Sequence, residues 1–199
     1  IALAFQFQFE AVLILVCLGV FFDFLDGLAA RALDAVTNFG KHLDSITDVI
    51  TSGVVPGIIV YQLFKLSGNK VSDFEVYAFG YDLIFSLSPI SFIGFLITIA
   101  SAIRLSKYNT LTRSDEFIGL PTPANAIFFA SLPVLINSDI LIDSKQIFLN
   151  NYFLIGSVIS SVILMNSPFR LFSFKVPFKD FQSNVYQILL ILISIPILI

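Results

Sequence analysis

The chain has few charged residues and almost no cysteine, and both shortages narrow its class. Charged residues make up 13% of its 199 residues, whereas about 25% is usual for a soluble domain. The mean hydropathy is +0.92. We therefore predict one polytopic membrane domain over residues 1–199 rather than a soluble globular domain. Cys17 is the only cysteine, so the sequence has no internal disulfide and no sign of an oxidising compartment.

The chain also has no excess of positive charge, and we do not predict a signal peptide in its opening residues. Its formal net charge of −3 argues against a nucleic-acid partner. The opening residues 1–7 read as the exit of an earlier helix. The apolar run at 188–199 is shorter than the roughly 20 residues that a helix needs to cross a bilayer. We expect a chain truncated at both ends, from a protein with about six to eight transmembrane helices.

Long apolar segments predict an all-α membrane helical bundle, because lipid cannot satisfy exposed backbone groups. A polar loop at 67–75 and a basic connector at 166–183 separate apolar runs, and a last, incomplete helix begins near Asn184. The five complete spans are predicted at about 10–34, 40–66, 76–107, 124–136 and 146–165.

The distribution of Lys and Arg predicts the orientation of these spans. Eight of the eleven cations fall on one set of loops and flanks, and three fall on the opposite set. Because cytoplasmic loops carry the excess of Lys and Arg, the first set is assigned to the cytoplasm.

Four aspartates stand at the same predicted boundary. Asp23, Asp26, Asp44 and Asp48 lie within apolar sequence, where acids are costly and usually functional. On a helix, Asp23 and Asp26 share an arc of about 140° with Gly27, Ala30 and Arg31. Gly40, Asp44 and Asp48 share about 80° on the next helix. The short break between the helices lets the two acidic faces converge.

Converging carboxylates need a counter-charge, and hard divalent cations with oxygen ligands provide one. Two metal ions would suit four acids and a diphosphate. Gly27 and Gly40 leave room for a ligand, Ala30 keeps the face small, and Arg31 suits a phosphate. Asp48, the deepest of the four aspartates along its helix, suits a general base. Two other interpretations are open: a proton or cation pathway, or interfacial charges such as Asp34.

The whole segment resembles the signature of the CDP-alcohol phosphotransferases, D-x2-D-G-x2-A-R-x8-G-x3-D-x3-D. Every fixed position is present: Asp23, Asp26, Gly27, Ala30, Arg31, Gly40, Asp44 and Asp48. The resemblance implies a divalent metal pair, Mg²⁺ or Mn²⁺, on the four aspartates, with Asp48 also as the base. It assigns CDP binding to Asp23, Gly27, Ala30, Arg31, Gly40 and Asp44.

Within that family, the chain is most similar to the integral-membrane phosphatidylserine synthases of bacteria. The segments FFDFLDGLAAR, LDSITDVITSGVVPG and FIGLPTPANA carry this similarity. It implies CDP-diacylglycerol and L-serine as substrates, a bacterial-type inner membrane with the site facing the cytoplasm, and a homodimer. Another acceptor, such as glycerol 3-phosphate or an inositol phosphate, is the alternative within the family.

Residues outside the signature are weaker candidates. Arg104, Arg113 and Asn125 lie on the predicted cytoplasmic side, where they would suit the acceptor; ordinary interfacial or loop charges are the alternative for the arginines. Gly53 and Gly57 form a GxxxG pair that serves either close helix packing or a dimer contact, on the first interpretation, or accommodation of Pro56, on the second. We favour the second interpretation.

Overall fold

Apolar helices form most of the structure. The computed structural model describes residues 1–35, 37–69, 72–78, 81–110, 117–138, 145–168 and 170–171. The helices are α1 (Ala2–Phe5), α2 (Phe9–Ala32), α3 (Asn38–Val49), α4 (Val55–Leu66), α5 (Phe95–Thr110), α6 (Thr122–Asn137), α7 (Lys145–Phe148) and α8 (Asn151–Asn166). A π-helical segment, Ile50–Val54, joins α3 to α4, and a 3-10 helix, Pro89–Gly94, leads into α5.

Three of these helical stretches are long and apolar enough to cross a membrane. They cover Phe9–Ala30, Asn38–Leu66 and Pro89–Tyr108, with hydropathies of 2.3, 1.6 and 1.6. Two shorter apolar helices, Thr122–Asn137 and Asn151–Asn166, complete the set within the described residues. The predicted membrane helical bundle is thus confirmed, although two of the five predicted spans are shorter than a full crossing.

The π-helical segment follows from Pro56. Proline has no N–H, and its ring collides with the carbonyl four residues earlier, here that of Ser52. The chain widens by one residue at this point, and the Val55 N–H bonds to the Ile50 carbonyl. Helix α5 supplies donors for the affected carbonyls: Thr98 Oγ1 lies 3.0 Å from the Gly53 oxygen, and Ser101 Oγ lies 3.5 Å from the Ser52 oxygen.

Helix α4 lies at the centre of the core. Its buried side chains include Ile59, Leu63 and Phe64, none of them exposed to solvent. Gly57 faces the 3-10 helix so closely that a Cβ atom on Gly94 would lie 2.7 Å from the Gly57 oxygen. A Cβ atom on Gly53 would likewise lie only 3.1 Å from the Cβ atom of Ser101. The GxxxG pair therefore serves close packing, the interpretation that we did not favour.

The predicted helix over 76–107 is wrong in its first half. Strands β1 (Ser72–Ala78) and β2 (Tyr81–Leu87) form an antiparallel hairpin, with Ser72 opposite Leu87 and Ala78 opposite Tyr81. Polar and apolar residues alternate from Asp73 to Val76, a pattern typical of a strand. Pro89 then separates the hairpin from the helix, because the residue before proline favours an extended backbone.

The predicted span over 146–165 is also divided. Helix α8 begins only after Asn150, whose side-chain oxygen accepts a hydrogen bond of 2.8 Å from the Tyr152 N–H. This cap defines a new helix start, so α7 and α8 are separate.

A second strand pair joins β3 (Phe117–Ile118) to β4 (Arg170–Leu171). The predicted last helix from Asn184, and the connector beyond Leu171, lie outside the described residues.

Candidate functional site

The end of α2 and the beginning of α3 bring three of the four signature aspartates into one group. Single carboxylate oxygens of Asp23, Asp26 and Asp44 all lie within 4.8 Å of one another. Asp26 and Asp44 are exposed, and Asp23 is half-buried. Three hard oxygen donors at this separation fit a divalent cation. The predicted convergence of the two acidic faces is therefore present in the structure.

Asp48 is not one of these three, but its charge acts on Asp23. It is half-buried, and its carboxylate is close enough to those of Asp44 and Asp26 for their charges to interact. It also interacts with the positive charge of Arg104 on α5. Asp48 thus has both acidic and basic neighbours among the described residues.

A cleft of about 240 Å³ opens beside these acids. Asp23, Asp26 and Asp48 form its acidic wall, and the other wall residues are apolar or carry hydroxyl groups. The full lining is Gly19, Val20, Phe22, Asp23, Asp26, Thr47, Asp48, Thr51 and Ser52.

The connection between the two helices is shaped by local hydrogen bonding. Asp34 has a positive φ of 52° just after α2, a conformation that Asp tolerates better than most residues. Thr37 caps α3, and its hydroxyl oxygen accepts a 3.0 Å hydrogen bond from the Gly40 N–H. A Cβ on Gly40 would lie 3.1 Å from that same oxygen. The small size of Gly40 therefore accommodates the cap, a role that the sequence alone did not reveal.

The other signature residues differ in what can be described of them. A Cβ on Gly27 would meet no atom within 4 Å among the described residues outside its own helical turn. Ala30 is half-buried on the same helix. Arg31 belongs to α2, but its side chain lies outside the described part of the chain, as does all of Arg113. Their predicted contacts with CDP and with the acceptor stay predictions.

Arg104 reaches the acidic site from α5. It is half-buried, and its Nη2 lies 3.5 Å from the Gly119 oxygen. The loop that carries Gly119 is attached to α8, because the Leu120 N–H donates a 3.0 Å hydrogen bond to the Leu164 oxygen. Gly119 has a positive φ of 71°, and a Cβ there would lie 2.5 Å from the Met165 oxygen. A glycine is thus required where this loop supports Arg104.

Asn125 is not among the residues that line the cleft. It is 1% exposed on α6, and its Oδ1 accepts a 2.6 Å hydrogen bond from Ser161 Oγ on α8. This contact joins two helices in the interior. The predicted role of Asn125 in acceptor binding stays a prediction, without a contact to the cleft in the described structure.

Sequence reasoning missed the hydroxyl residues of the cleft. Thr47, Thr51 and Ser52 all line it. A signal was available, because Ser52 follows Asp44 and Asp48 at the same spacing of four residues, which keeps all three near one helix face. The contact of Thr51 with α2 at Gly19 depends on the tertiary fold, so the sequence had no signal for it.

Several curated proteins are similar to this chain over part of their length. It is 34% identical to "CDP-diacylglycerol--serine O-phosphatidyltransferase" of Methanocaldococcus jannaschii, over 62% of this chain and 51% of that protein. The protein of the same name from Bacillus subtilis is 34% identical, over 53% of this chain and 50% of that protein. "Archaetidylserine synthase" of Methanothermobacter thermautotrophicus is 34% identical, over 66% and 49% respectively. The chain therefore spans about half the length of these relatives.

A family model gives the broader relationship. The model described as CDP-alcohol phosphatidyltransferase matches residues 1–163. This range includes α2, α3, the acidic group and the cleft. The chain therefore belongs to the CDP-alcohol phosphatidyltransferase family.

Proposed function

We propose that the full-length protein transfers the phosphatidyl group of CDP-diacylglycerol to the hydroxyl of L-serine, producing phosphatidylserine and CMP. The observation that carries this proposal is the group of three carboxylates beside Asp48, at one cleft of a chain that belongs to this family. The names of the relatives from M. jannaschii and B. subtilis support CDP-diacylglycerol and serine as the substrates.

Asp23, Asp26 and Asp44 would hold the divalent cations, two Mg²⁺ or Mn²⁺ ions, with Asp48 as a further ligand. Their spacing fits a hard cation with oxygen ligands. A bound divalent cation would neutralise the diphosphate and stabilise the departing CMP. Gly27, Ala30, Arg31 and Gly40 would contact the CDP moiety, and the membership of the chain in this family supports this assignment.

Asp48 would act as the general base. It accepts the proton of the serine hydroxyl while the serine oxygen forms a bond to the phosphorus that carries the diacylglycerol. The bond from that phosphorus to the CMP oxygen breaks, and CMP leaves with the electron pair. The charge of Arg104, which acts on Asp48, supports a distinct role for this aspartate.

Arg104 would bind the serine carboxylate. Its charge acts on Asp48, so a carboxylate held by the guanidinium would bring the serine hydroxyl near the base. Arginine suits this role because its planar group can bind a carboxylate through two hydrogen bonds. Glycerol 3-phosphate or an inositol phosphate is the alternative acceptor, and either would bring a more highly charged phosphate to the same cation.

The location that we propose is the inner membrane of a bacterial-type cell, with the acidic site facing the cytoplasm. The excess of Lys and Arg at the loops near the site supports this orientation. A homodimer remains part of the proposal on the family resemblance alone.

The proposal is tested by CMP release from purified full-length protein. The reaction would contain CDP-diacylglycerol, Mg²⁺ or Mn²⁺, and one alcohol at a time: L-serine, glycerol 3-phosphate, inositol or an inositol phosphate. We expect release with serine and a labelled phospholipid product. If CMP is released only with another alcohol, that alcohol is the acceptor instead of serine. If CMP is released with none of them, the proposal that the protein is this enzyme is rejected.

The same purified protein can be used to distinguish an enzyme from a transporter. A cation or proton pathway is the second candidate, because acids within membrane spans are its usual mark. The protein would be reconstituted in liposomes with a pH-sensitive dye inside. Proton or cation flux without CDP-diacylglycerol, together with no CMP release, would favour the transporter.

A further inference from the structure

Ser52 has an unusual hydroxyl for a helical serine. Its side chain is buried, with 1% exposure, and its Oγ has no hydrogen-bond partner among the described residues. Serine and threonine in helices commonly donate to the carbonyl four residues earlier. Ser45 and Thr47 do so just before it, at 2.9 Å each. The Ser52 hydroxyl is therefore buried without the bond that its neighbours make.

This residue lies in the wall of the cleft, one turn beyond Asp48. Four residues along a helix correspond to about 6 Å. The stretch from Asn38 to Leu66 is long and apolar enough to cross a membrane, and in such a crossing Ser52 would lie deeper than Asp48. A buried hydroxyl without a partner is costly, and its place in the wall of a cleft favours a ligand as the partner.

The cleft changes character along this depth. Among its lining residues, Asp23 and Asp26 are the closest in sequence to the turn between α2 and α3, and Asp48 is the third acid. Gly19 and Val20 line it on α2, on the membrane-interior side of Asp23. Helix α2 meets the π-helical segment at the inner end, where a Cβ on Gly19 would lie 3.1 Å from Thr51 Cγ2. Beyond the acids, hydroxyl-bearing and apolar residues thus line the cleft together.

The groups of an ester-linked lipid also change from charged to uncharged with depth in the bilayer. Its phosphates lie at the polar interface of the bilayer, its acyl-ester carbonyls lie somewhat deeper, and its chains fill the hydrocarbon region. The amphiphilic donor of the proposed function would place its diphosphate at the acids. Its ester carbonyls would then fall at the depth of Ser52, and a carbonyl oxygen accepts the one hydrogen that a serine hydroxyl donates.

We propose that Ser52 donates a hydrogen bond to an acyl-ester carbonyl of the lipid donor and so makes the cleft selective for ester-linked over ether-linked donors. This inference rests on the proposed function for the identity of the donor. It names a specificity-determining residue for the lipid end of the site, separate from the acids that would bind the diphosphate.

The test is a binding measurement, which needs no turnover. Full-length wild-type protein, Ser52→Ala and Ser52→Thr would be titrated with CDP-diacylglycerol and with its dialkyl-ether analogue, in the presence of Mg²⁺ and without an acceptor. We expect Ser52→Ala to bind the diester donor roughly fivefold more weakly, the effect of one neutral hydrogen bond. Its affinity for the diether donor should not change, and Ser52→Thr, which keeps the hydroxyl, should retain the preference for the ester.

Ser91→Ala is the matched control. Ser91 is equally buried, with 0% exposure, and its Oγ also lacks a partner among the described residues. It lies in the 3-10 helix and does not line the cleft, so both affinities should stay at the wild-type value. Equal losses for the two donors in Ser52→Ala, or no loss for either, would overturn the inference.

The remaining alternative is that Ser52 contacts the acceptor rather than the lipid donor. If Ser52 contacts the acceptor instead, Ser52→Ala would raise the KM for serine and leave the affinity for both donors unchanged. Failure of the proposed function has a different result, because wild-type protein would then release no CMP with any alcohol. Wild-type protein that releases CMP but binds the diester and diether donors equally contradicts only the role of Ser52.

Discussion

At the scale of single residues, the four signature aspartates are chemically unequal. Asp23, Asp26 and Asp44 form a group in which each acid has other acids as neighbours. Asp48 is half-buried and has Arg104 as an additional neighbour. A base needs a free carboxylate oxygen near the hydroxyl that it deprotonates. Position therefore favours Asp48 over the other three aspartates for that role.

Replacing Asp48 with Asn tests this difference. Asparagine keeps the shape of the side chain but cannot accept the proton, so kcat should fall by about a hundredfold or more. Affinity for CDP-diacylglycerol in the presence of Mg²⁺ should fall much less, because Asp23, Asp26 and Asp44 remain. Both quantities would be measured on the same purified protein.

Asp34→Asn is the matched control for this substitution. Asp34 is exposed in the turn after α2 and lies outside the acidic group, so neither kcat nor donor affinity should change. A loss of donor affinity in Asp48→Asn as large as the loss of kcat would make Asp48 chiefly a metal ligand.

Replacing Gly27 with Ala tests donor binding without an expected loss of folding stability. An added methyl group would have no atom within 4 Å among the described residues outside its own helical turn, and alanine is the better helix former by about 0.5–1 kcal/mol. Gly27→Ala should therefore unfold at the same or a higher temperature. Its affinity for the CDP-lipid should nevertheless fall, because the methyl group would occupy space that we assign to the CDP moiety.

A melting curve and a donor titration check the Gly27→Ala prediction. Gly156→Ala on α8 is the control, since its added methyl group would also meet nothing within 4 Å and lies away from the acids. Unchanged donor affinity in Gly27→Ala would remove Gly27 from the CDP site.

At the scale of elements, the position of the cleft depends on how α4 and the π-helical segment pack against their neighbours. The closest approach is at Gly94, where a Cβ would lie 2.7 Å from the Gly57 oxygen and 3.1 Å from the Tyr61 nitrogen. These are backbone atoms of a central helix and cannot move independently. Gly94→Ala should therefore lower the free energy of unfolding by about 1–3 kcal/mol through overpacking.

Thermal unfolding in detergent would measure the effect of Gly94→Ala. Gly156→Ala, which adds the same methyl group without a close neighbour, should show no loss of stability. If the two variants unfold at the same temperature, α4 and the 3-10 helix do not pack as closely as described.

Elements with a strong local signal could be predicted from the sequence, and elements determined by tertiary contacts could not. The bounds of α2 were predicted within two residues, because a long apolar run with a polar end identifies such a helix. The hairpin of β1 and β2 was missed, because its apolar residues run on into those of α5. Its alternating pattern covers too few residues to outweigh that run.

The acidic part of the site could also be predicted, since residues four apart share a helix face. The hydroxyl part could not. The π-helical segment and the hydrogen bonds from Thr98 and Ser101 depend on α5, which is distant in sequence. The support of Arg104 by Gly119 likewise requires the loop to meet α8.

At the scale of the whole molecule, the proposed chemistry requires one orientation. Serine is water-soluble and CDP-diacylglycerol is a membrane lipid, so the two meet only at an interface, where Asp26 and Asp44 are exposed. Residues on the two predicted sides of the membrane can show which membrane–water interface carries the acidic site. Leu33, 76% exposed after α2, lies beside the acidic end. Gln146, exposed in α7, is the first residue of the predicted span 146–165, at the end predicted to face the other side.

Cysteine labelling tests this orientation in intact cells. Leu33→Cys and Gln146→Cys would each be made with Cys17→Ser, so that a single thiol remains. Since eight of the eleven cations lie on the loops and flanks of the acidic side, that side should face the cytoplasm. A maleimide that cannot cross the membrane should label the Gln146→Cys variant directly and the Leu33→Cys variant only after permeabilisation. Direct labelling of the Leu33→Cys variant alone would reverse the orientation and place the acidic site outside the cytoplasm.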